Sequence, residues 1–306
     1  MNPNRRDFLA LAAGGLVLAG RPARLAAAAA AKPDLQLGFS LYGMKTLPLD
    51  RALAECKRIG YRTVELALIA GFPTEPAKLL PAARATMCAQ IKAAGLPVVS
   101  LLVNLGLTGD AKAHAAHLET LDLAGRFAKE IDPARPPIIQ TIMGGKPGEW
   151  EANKVTMAAR LKDWNAAAQR LGVKIAIKAH ALQAVDTPDK LLWIFREAAG
   201  SNLSLGYDHS HYVLAGLTIE ASYRALAPHV TFVHVKDSRR DGGEVRFLLP
   251  GEAATDYAAY FRLLRQHGYS GPLIVEVSSQ IFNRPGYDPI ATAEKCYTAL
   301  APALRA

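Results

Sequence analysis

After residue 33, short apolar runs rich in β-branched residues alternate with longer stretches in which apolar residues recur every three or four positions. The first pattern has the two-residue period of a strand and the second the 3.6-residue period of a helix. Strands are expected near 35–42, 63–68, 97–104, 136–143, 174–180, 203–208, 230–236 and 272–278. Helices are expected near 48–59, 81–94, 113–130, 153–171, 187–199, 219–227, 255–267 and 288–303. Strict alternation of this kind builds a parallel sheet, and eight units predict an α/β fold closed as a (β/α)8 TIM barrel. Gly60, Gly95, Gly172, Gly200 and Gly268 each follow a helical stretch, where a left-handed residue ends it. Val155, Ala158, Leu161, Trp164, Ala168 and Leu171 form one apolar stripe on the fourth helix. A doubly wound open sheet is the rival, but no Gly-x-Gly-x-x-Gly follows the first strand.

Within the strands, one phase is apolar: Leu37 and Phe39, Val64 and Leu66, Ile175 and Ile177, Val233 and Val235, Val275 and Val277. The opposite phase, facing the barrel axis, holds Ser40, Tyr42, Glu65, Ser100, Asn104, Gln140, Lys178, His180, Asp208, His234, Lys236, Glu276 and Ser278. Most lie in the C-terminal halves of their strands, where such barrels build their sites. Burying one unpaired charge costs several kcal/mol, roughly, so this convergence requires a common ligand or a dense network. Singly, each residue has a plainer reading: His234 as a core histidine, Asp208 as a helix cap, Glu276 as a partner for Lys178, Glu65 as a brace. Together, Asp208, His234 and Glu276 offer two carboxylates and an imidazole, a set that suits a divalent ion (Mn, Mg, Co or Zn). His180 is the candidate for a fourth ligand.

Residues 1–31 differ from the rest. Arg5-Arg6-Asp7-Phe8-Leu9 leads into an apolar run from Leu11 to Gly20, then Arg21, Arg24 and an alanine tract, the pattern of a twin-arginine export signal. The run is shorter than the ~20 residues that cross a bilayer, so cleavage is expected, with no stable membrane insertion afterwards. Residues 32–306 would then form the barrel of a periplasmic or secreted protein. Loss of the signal lowers the net charge from +9 to about +6. No Lys/Arg block with interleaved aromatics appears, so nucleic acid is not an expected partner. Cys56, Cys88 and Cys296 read as free thiols, with a single disulfide left open.

Val-His-Val-Lys-Asp (233–237), Asp-x-x-His (208–211) and Ile-Val-Glu-Val (274–277), in their strand positions, resemble the xylose isomerase-like barrel superfamily. That group includes sugar isomerases, ketose 3-epimerases, inosose dehydratases and endonuclease IV-like proteins. The resemblance implies metal ligation by Asp208, His234 and Glu276, a proton-transferring role for Glu276, and contact of His211 with substrate oxygens. The family usually carries a further Glu ligand at the end of the fifth strand, where this chain has Lys178 in Ile177-Lys178-Ala179-His180. A lysine near its ordinary pKa of ~10.4 neither binds metal nor accepts a proton. That sets aside two-carboxylate epimerisation and leaves Lys178 to stabilise an oxyanion, act as an acid, or serve as a base if burial lowers its pKa. Glu276, Lys178 and Glu65 are therefore the expected catalytic groups, and His211, Lys236, Tyr42, Asn104 and Gln140 the substrate contacts. The expected activity is that of an exported metal-dependent lyase or isomerase removing a proton beside the carbonyl of a sugar, 3-keto sugar or glycoside. A sugar epimerase and an inactive sugar-binding barrel are the alternatives. The partner is a small-molecule carbohydrate, and the oligomeric state is left open. Arg239, Arg240, Arg246, His114 and His117 read as solvated surface, and Trp150 as a sugar platform or packing.

Overall fold

The computed structural model describes residues 35–305, so the export signal expected over 1–31 lies outside the described residues. Eight parallel strands close into a barrel: β1 (Gln36–Ser40), β2 (Thr63–Leu68), β3 (Val98–Val103), β4 (Ile138–Thr141), β5 (Ile175–Lys178), β6 (Leu203–Asp208), β7 (Val230–Val235) and β10 (Pro272–Val275). Closure is made by β1, which pairs with β2 on one side and β10 on the other, leaving the ring no free edge. The expected helices surround it as α1 (Leu49–Ile59), α2 (Pro81–Ala94), α3 (Ala111–Ile131), α4 (Trp150–Leu171), α5 (Pro188–Ala198), α7 (Ile219–Leu226), α8 (Tyr257–Gln266) and α10 (Pro289–Leu300). Two short helices were not foreseen, α6 (His209–Leu214) directly after β6 and α9 (Ser279–Phe282) shortly after β10. Strand ends are trimmed as well: the chain leaves β1 through a 3-10 turn over Leu41–Met44, so Tyr42 sits on that turn.

Gly60 ends α1 as expected, at φ 115°, and a Cβ there would stand 2.7 Å from Tyr297 Oη. Gly200 does not play this part. Ala199 takes the left-handed conformation after α5, at φ 47°, and Gly200 is needed for space instead, since a Cβ on it would meet Asn165 at 2.5 Å. Val155 also departs from the expected stripe and is 72% exposed, whereas Ala158, Leu161, Trp164 and Ala168 are buried. Steps of three residues drift around a helix, and nine residues carry Val155 roughly 180° away from Trp164.

The apolar phase of the strands and the inner faces of the helices form one continuous core. Inside the ring, Ala176, Phe232 and Ile274 make a separate apolar layer. Each lies two residues before a polar group of the same phase, Lys178, His234 and Glu276, so the polar layer is closed from below and opens at the C-terminal end. Over that end reaches an antiparallel hairpin, β8 (Asp237–Asp241) and β9 (Glu244–Leu248). Gly242 and Gly243 turn it with φ of 54° and 94°. The three arginines hold this hairpin: Arg239 and Arg246 pair with Asp241, and Arg240 Nε donates to Leu214 O. Trp150 packs edge-on against Trp193, His114 bonds Asp163, and the three cysteines are free. Among the described residues, no helix is long and apolar enough to cross a membrane.

Candidate active site

Lys178 ends β5, Asp208 ends β6, His234 lies near the end of β7 with Lys236 just past it, and Glu276 follows β10. Register brings Asp208 beside His234, and sets Lys178 beside Gly206. Lys178 and Lys236 are 2% exposed and Asp208, His234 and Glu65 are sealed. Lys178 Nζ donates to Glu276 Oε2 at 2.8 Å and to Asp208 Oδ2 at 3.2 Å, and stands 2.8 Å from His234 Nδ1. Lys236 Nζ donates to the same Glu276 oxygen at 2.9 Å and also to Asp208 Oδ2.

Burial alone would depress Lys178, but Glu276 and Asp208 beside it hold its ammonium above the ordinary lysine range. Burial would likewise lift both carboxyls. Lys236, His211 and Lys178 instead hold Asp208 well below the usual range, and Lys178, Lys236 and His234 do the same for Glu276. Lys178 is thus a fixed cation here, which removes it as a general base. His234 Nε2 stands 3.0 Å from Glu65 Oε1 and its Nδ1 2.9 Å from Glu276 Oε2; burial and Lys178 alone would lower its pKa, but the two carboxylates raise it.

Glu65 departs from the catalytic role expected for it. Its two oxygens also accept from Ser40 Oγ at 2.7 Å and Ser100 Oγ at 2.9 Å, so it orients His234 from within the wall. Asp208 fulfils the helix-cap reading: Oδ1 caps α6, accepting from Ser210 N at 3.2 Å and Ser210 Oγ at 2.6 Å, while Oδ2 faces the lysines.

His180, the expected fourth ligand, is not with the other three. Its Nδ1 accepts from Leu182 N at 3.2 Å, which puts its proton on Nε2 and leaves that atom a hydrogen-bond donor. Burial, His211 and the two lysines push its pKa down to about 2. His211 lies against it, ring centroids 4.2 Å apart, and burial holds it at about 4. His211 Nδ1 accepts from Ala181 N, so its Nε2 hydrogen points to Asp208 Oδ2 at 3.3 Å. Both imidazoles are neutral donors. The hairpin adds Phe247, unforeseen in the sequence, whose ring lies 5.2 Å from His211's and 5.2 Å from Lys236 Nζ. Its sequence signals were the Gly242-Gly243 turn ahead of it and the short alternation of Val245, Phe247 and Leu249.

On the opposite wall Tyr42 stacks on Phe72 at 5.3 Å and meets Phe282 edge-on at 4.9 Å; burial and the nearby Glu276 raise its phenol pKa. Gln140 is sealed in β4, and neither amide atom finds a partner among the described residues. Asn104 is exposed, one residue beyond β3, and stands apart from the cluster's hydrogen bonds.

The donor atoms of Asp208, His234 and Glu276 lie within 4.8 Å of one another, a grouping that suggests a divalent metal. The seat is nonetheless filled by protein. Asp208 Oδ2 meets both lysines and His211, and Glu276 Oε2 meets both lysines and His234 Nδ1. With Lys178 as it stands, the residues do not fit an added ion.

Comparison with known proteins places this geometry. The family described as xylose isomerase-like TIM barrel matches residues 53–295. An inosose dehydratase of Geobacillus kaustophilus (strain HTA426) is 24% identical over 260 residues, 74% of this chain and 79% of that protein. Among solved structures, the 3-keto-D-glucoside 4-epimerase of E. coli superposes with a TM-score of 0.70 at 16% identity, over 88% of this chain and all (100%) of that one. An IOLI protein with a bound zinc atom gives a TM-score of 0.70 at 19% identity, over 88% and 99%.

Proposed function

The chain belongs to the xylose isomerase-like TIM barrel family, and from that premise we propose that it is a carbohydrate enzyme removing a proton beside a carbonyl, as a lyase or isomerase on a sugar, 3-keto sugar or glycoside. The observation that carries this reading is the pair of buried ammonium groups meeting Asp208 and Glu276 at the barrel mouth. Proton loss next to a carbonyl builds negative charge on its oxygen, and preorganised cations in a dry site stabilise that charge. Glu276 is the most reachable carboxylate of the cluster, with its side chain 13% exposed against 0% for Asp208 and Glu65. Its contacts gather on Oε2. A substrate oxygen that draws the lysine protons toward itself loosens their hold on Glu276, which raises its basicity when a proton must be taken. His180 presents an Nε2–H donor to hydroxyls, and Tyr42 and Phe247 offer apolar ring faces. The names of the inosose dehydratase and the 3-keto-glucoside epimerase fit this substrate class.

The test is carbon-hydrogen exchange. The protein is incubated with ketoses and 3-keto glycosides in heavy water and followed by NMR. Deuterium incorporation is expected, with loss of water or an alcohol marking a lyase. Exchange without net change marks an epimerase, and no exchange across the panel leaves a sugar-binding barrel and overturns the proposal. Glu276→Gln is expected to abolish exchange while sugar affinity stays within about tenfold, ~1.4 kcal/mol, by calorimetry. Residues 1–31 support export to the periplasm or beyond; fused to a reporter they are expected to direct its export, and replacing Arg5 and Arg6 by Lys to retain it inside.

A further inference from the structure

We propose that the Lys178 ammonium is the resident cation of this site, seated among Asp208, His234 and Glu276 in the place of a divalent ion and keeping such ions out. Lys178 Nζ stands 2.8 to 3.2 Å from one ligand atom of each residue of that group, and donates to both carboxylates. The arrangement behind these atoms is that of an ion site. Glu65 holds His234 Nε2 at 3.0 Å, as an outer carboxylate does for a metal-bound imidazole. Ser40 and Ser100 fix Glu65 in turn.

Charge points the same way. Glu65, Asp208 and Glu276 supply three negative charges to the cluster, and Lys178 and Lys236 already answer two of them. An added dication would give the site more positive than negative charge in a dry wall and would have to displace Nζ from all three ligand atoms. Lys236 makes displacement harder, because it donates to both carboxylate oxygens that Lys178 uses. The cation is thereby covalently attached, singly charged, and able to act only through charge and hydrogen bonds.

This inference deepens the reading above, since it names the group that stabilises the developing oxyanion, but it is measured without substrate. Metal content and calorimetric titration with Mn²⁺, Co²⁺ and Zn²⁺ are compared for the wild-type protein and Lys178→Met, alongside melting curves with and without chelator. The wild type is expected to hold no stoichiometric ion and to melt at the same temperature under both conditions. Lys178→Met, with its donors freed, is expected to take up one ion per chain ~100-fold or more tightly than the wild type, and to be stabilised against melting by it. Equimolar uptake by the wild type that Asp208→Asn abolishes overturns the proposal; uptake that Asp208→Asn leaves unchanged lies outside this seat and supports it. A folded Lys178→Met that binds no ion also overturns it, and if that variant does not fold the wild-type titration decides. A blank carbohydrate panel would sink the functional reading and leave this one standing.

Discussion

At the scale of single residues, burial and charge work in opposite directions, and pH separates them. Asp208 and Glu276 have depressed pKa values in the fold, so the stability they contribute is present above the ordinary carboxylate range near pH ~4 and is lost as pH falls toward their folded values. His180 and His211 act at milder acidity. The fold keeps them neutral down to about 2 and about 4, while an unfolded chain takes up their protons below pH ~6.5. Each therefore removes stability as pH drops from ~6.5, with a slope approaching ~1.4 kcal/mol per unit. Melting temperatures measured from pH 7.5 to 5 are expected to fall, and His180→Gln to flatten that fall; an unchanged slope would contradict the neutral assignment. Gln140 makes a second case. Its amide is sealed without partners among the described residues, so Gln140→Leu is expected to raise stability by ~1–3 kcal/mol in denaturant melts. The sequence showed Lys178, Asp208, His234 and Glu276 in one inward phase. It did not show that Nζ would reach the ion's seat, because strand alternation fixes a side chain's direction and not how far along it the charged end comes to rest.

At the scale of elements, strands and helices were legible wherever an apolar face repeats against the core, as in Leu37 and Phe39 or Leu161 and Trp164. Boundaries were less so, since alternation runs on past the last ladder bond, as at Tyr42. The β8–β9 hairpin escaped because its residues are mostly charged and half-exposed, and the alternation of Val245, Phe247 and Leu249 is too short to stand out. Yet the hairpin shapes the mouth. Gln280 clasps it from α9, accepting from Phe247 N at 2.9 Å and donating to Val245 O at 3.1 Å. Phe247→Ala is expected to raise KM about tenfold with kcat little changed, ~1.4 kcal/mol of binding, by steady-state kinetics on whichever sugar proves to be turned over. Two substitutions in α4 test its facing by denaturant melts: Trp164→Ala is expected to cost ~3–5 kcal/mol, and Val155→Lys to stay within ~0.5 kcal/mol.

At the scale of the whole molecule, the polar cluster is assembled from residues as far apart as 65 and 276, and it exists only when the ring is shut. The two lysines arrive with β5 and β7. Their second counter-charge arrives with the segment after β10, the strand set between β7 and β1. Glu276→Gln is thus expected to leave two sealed ammoniums sharing Asp208, at a loss of ~3–5 kcal/mol, expressed mainly as faster unfolding in stopped-flow kinetics. A barrel lacking its final stave would be more than open; it would leave two ammoniums leaning on one carboxylate in an oily interior and favour letting water back in. The arrangement that readies the mouth for an anion therefore also serves as a proofreading latch, by which the chain recognises its own completion.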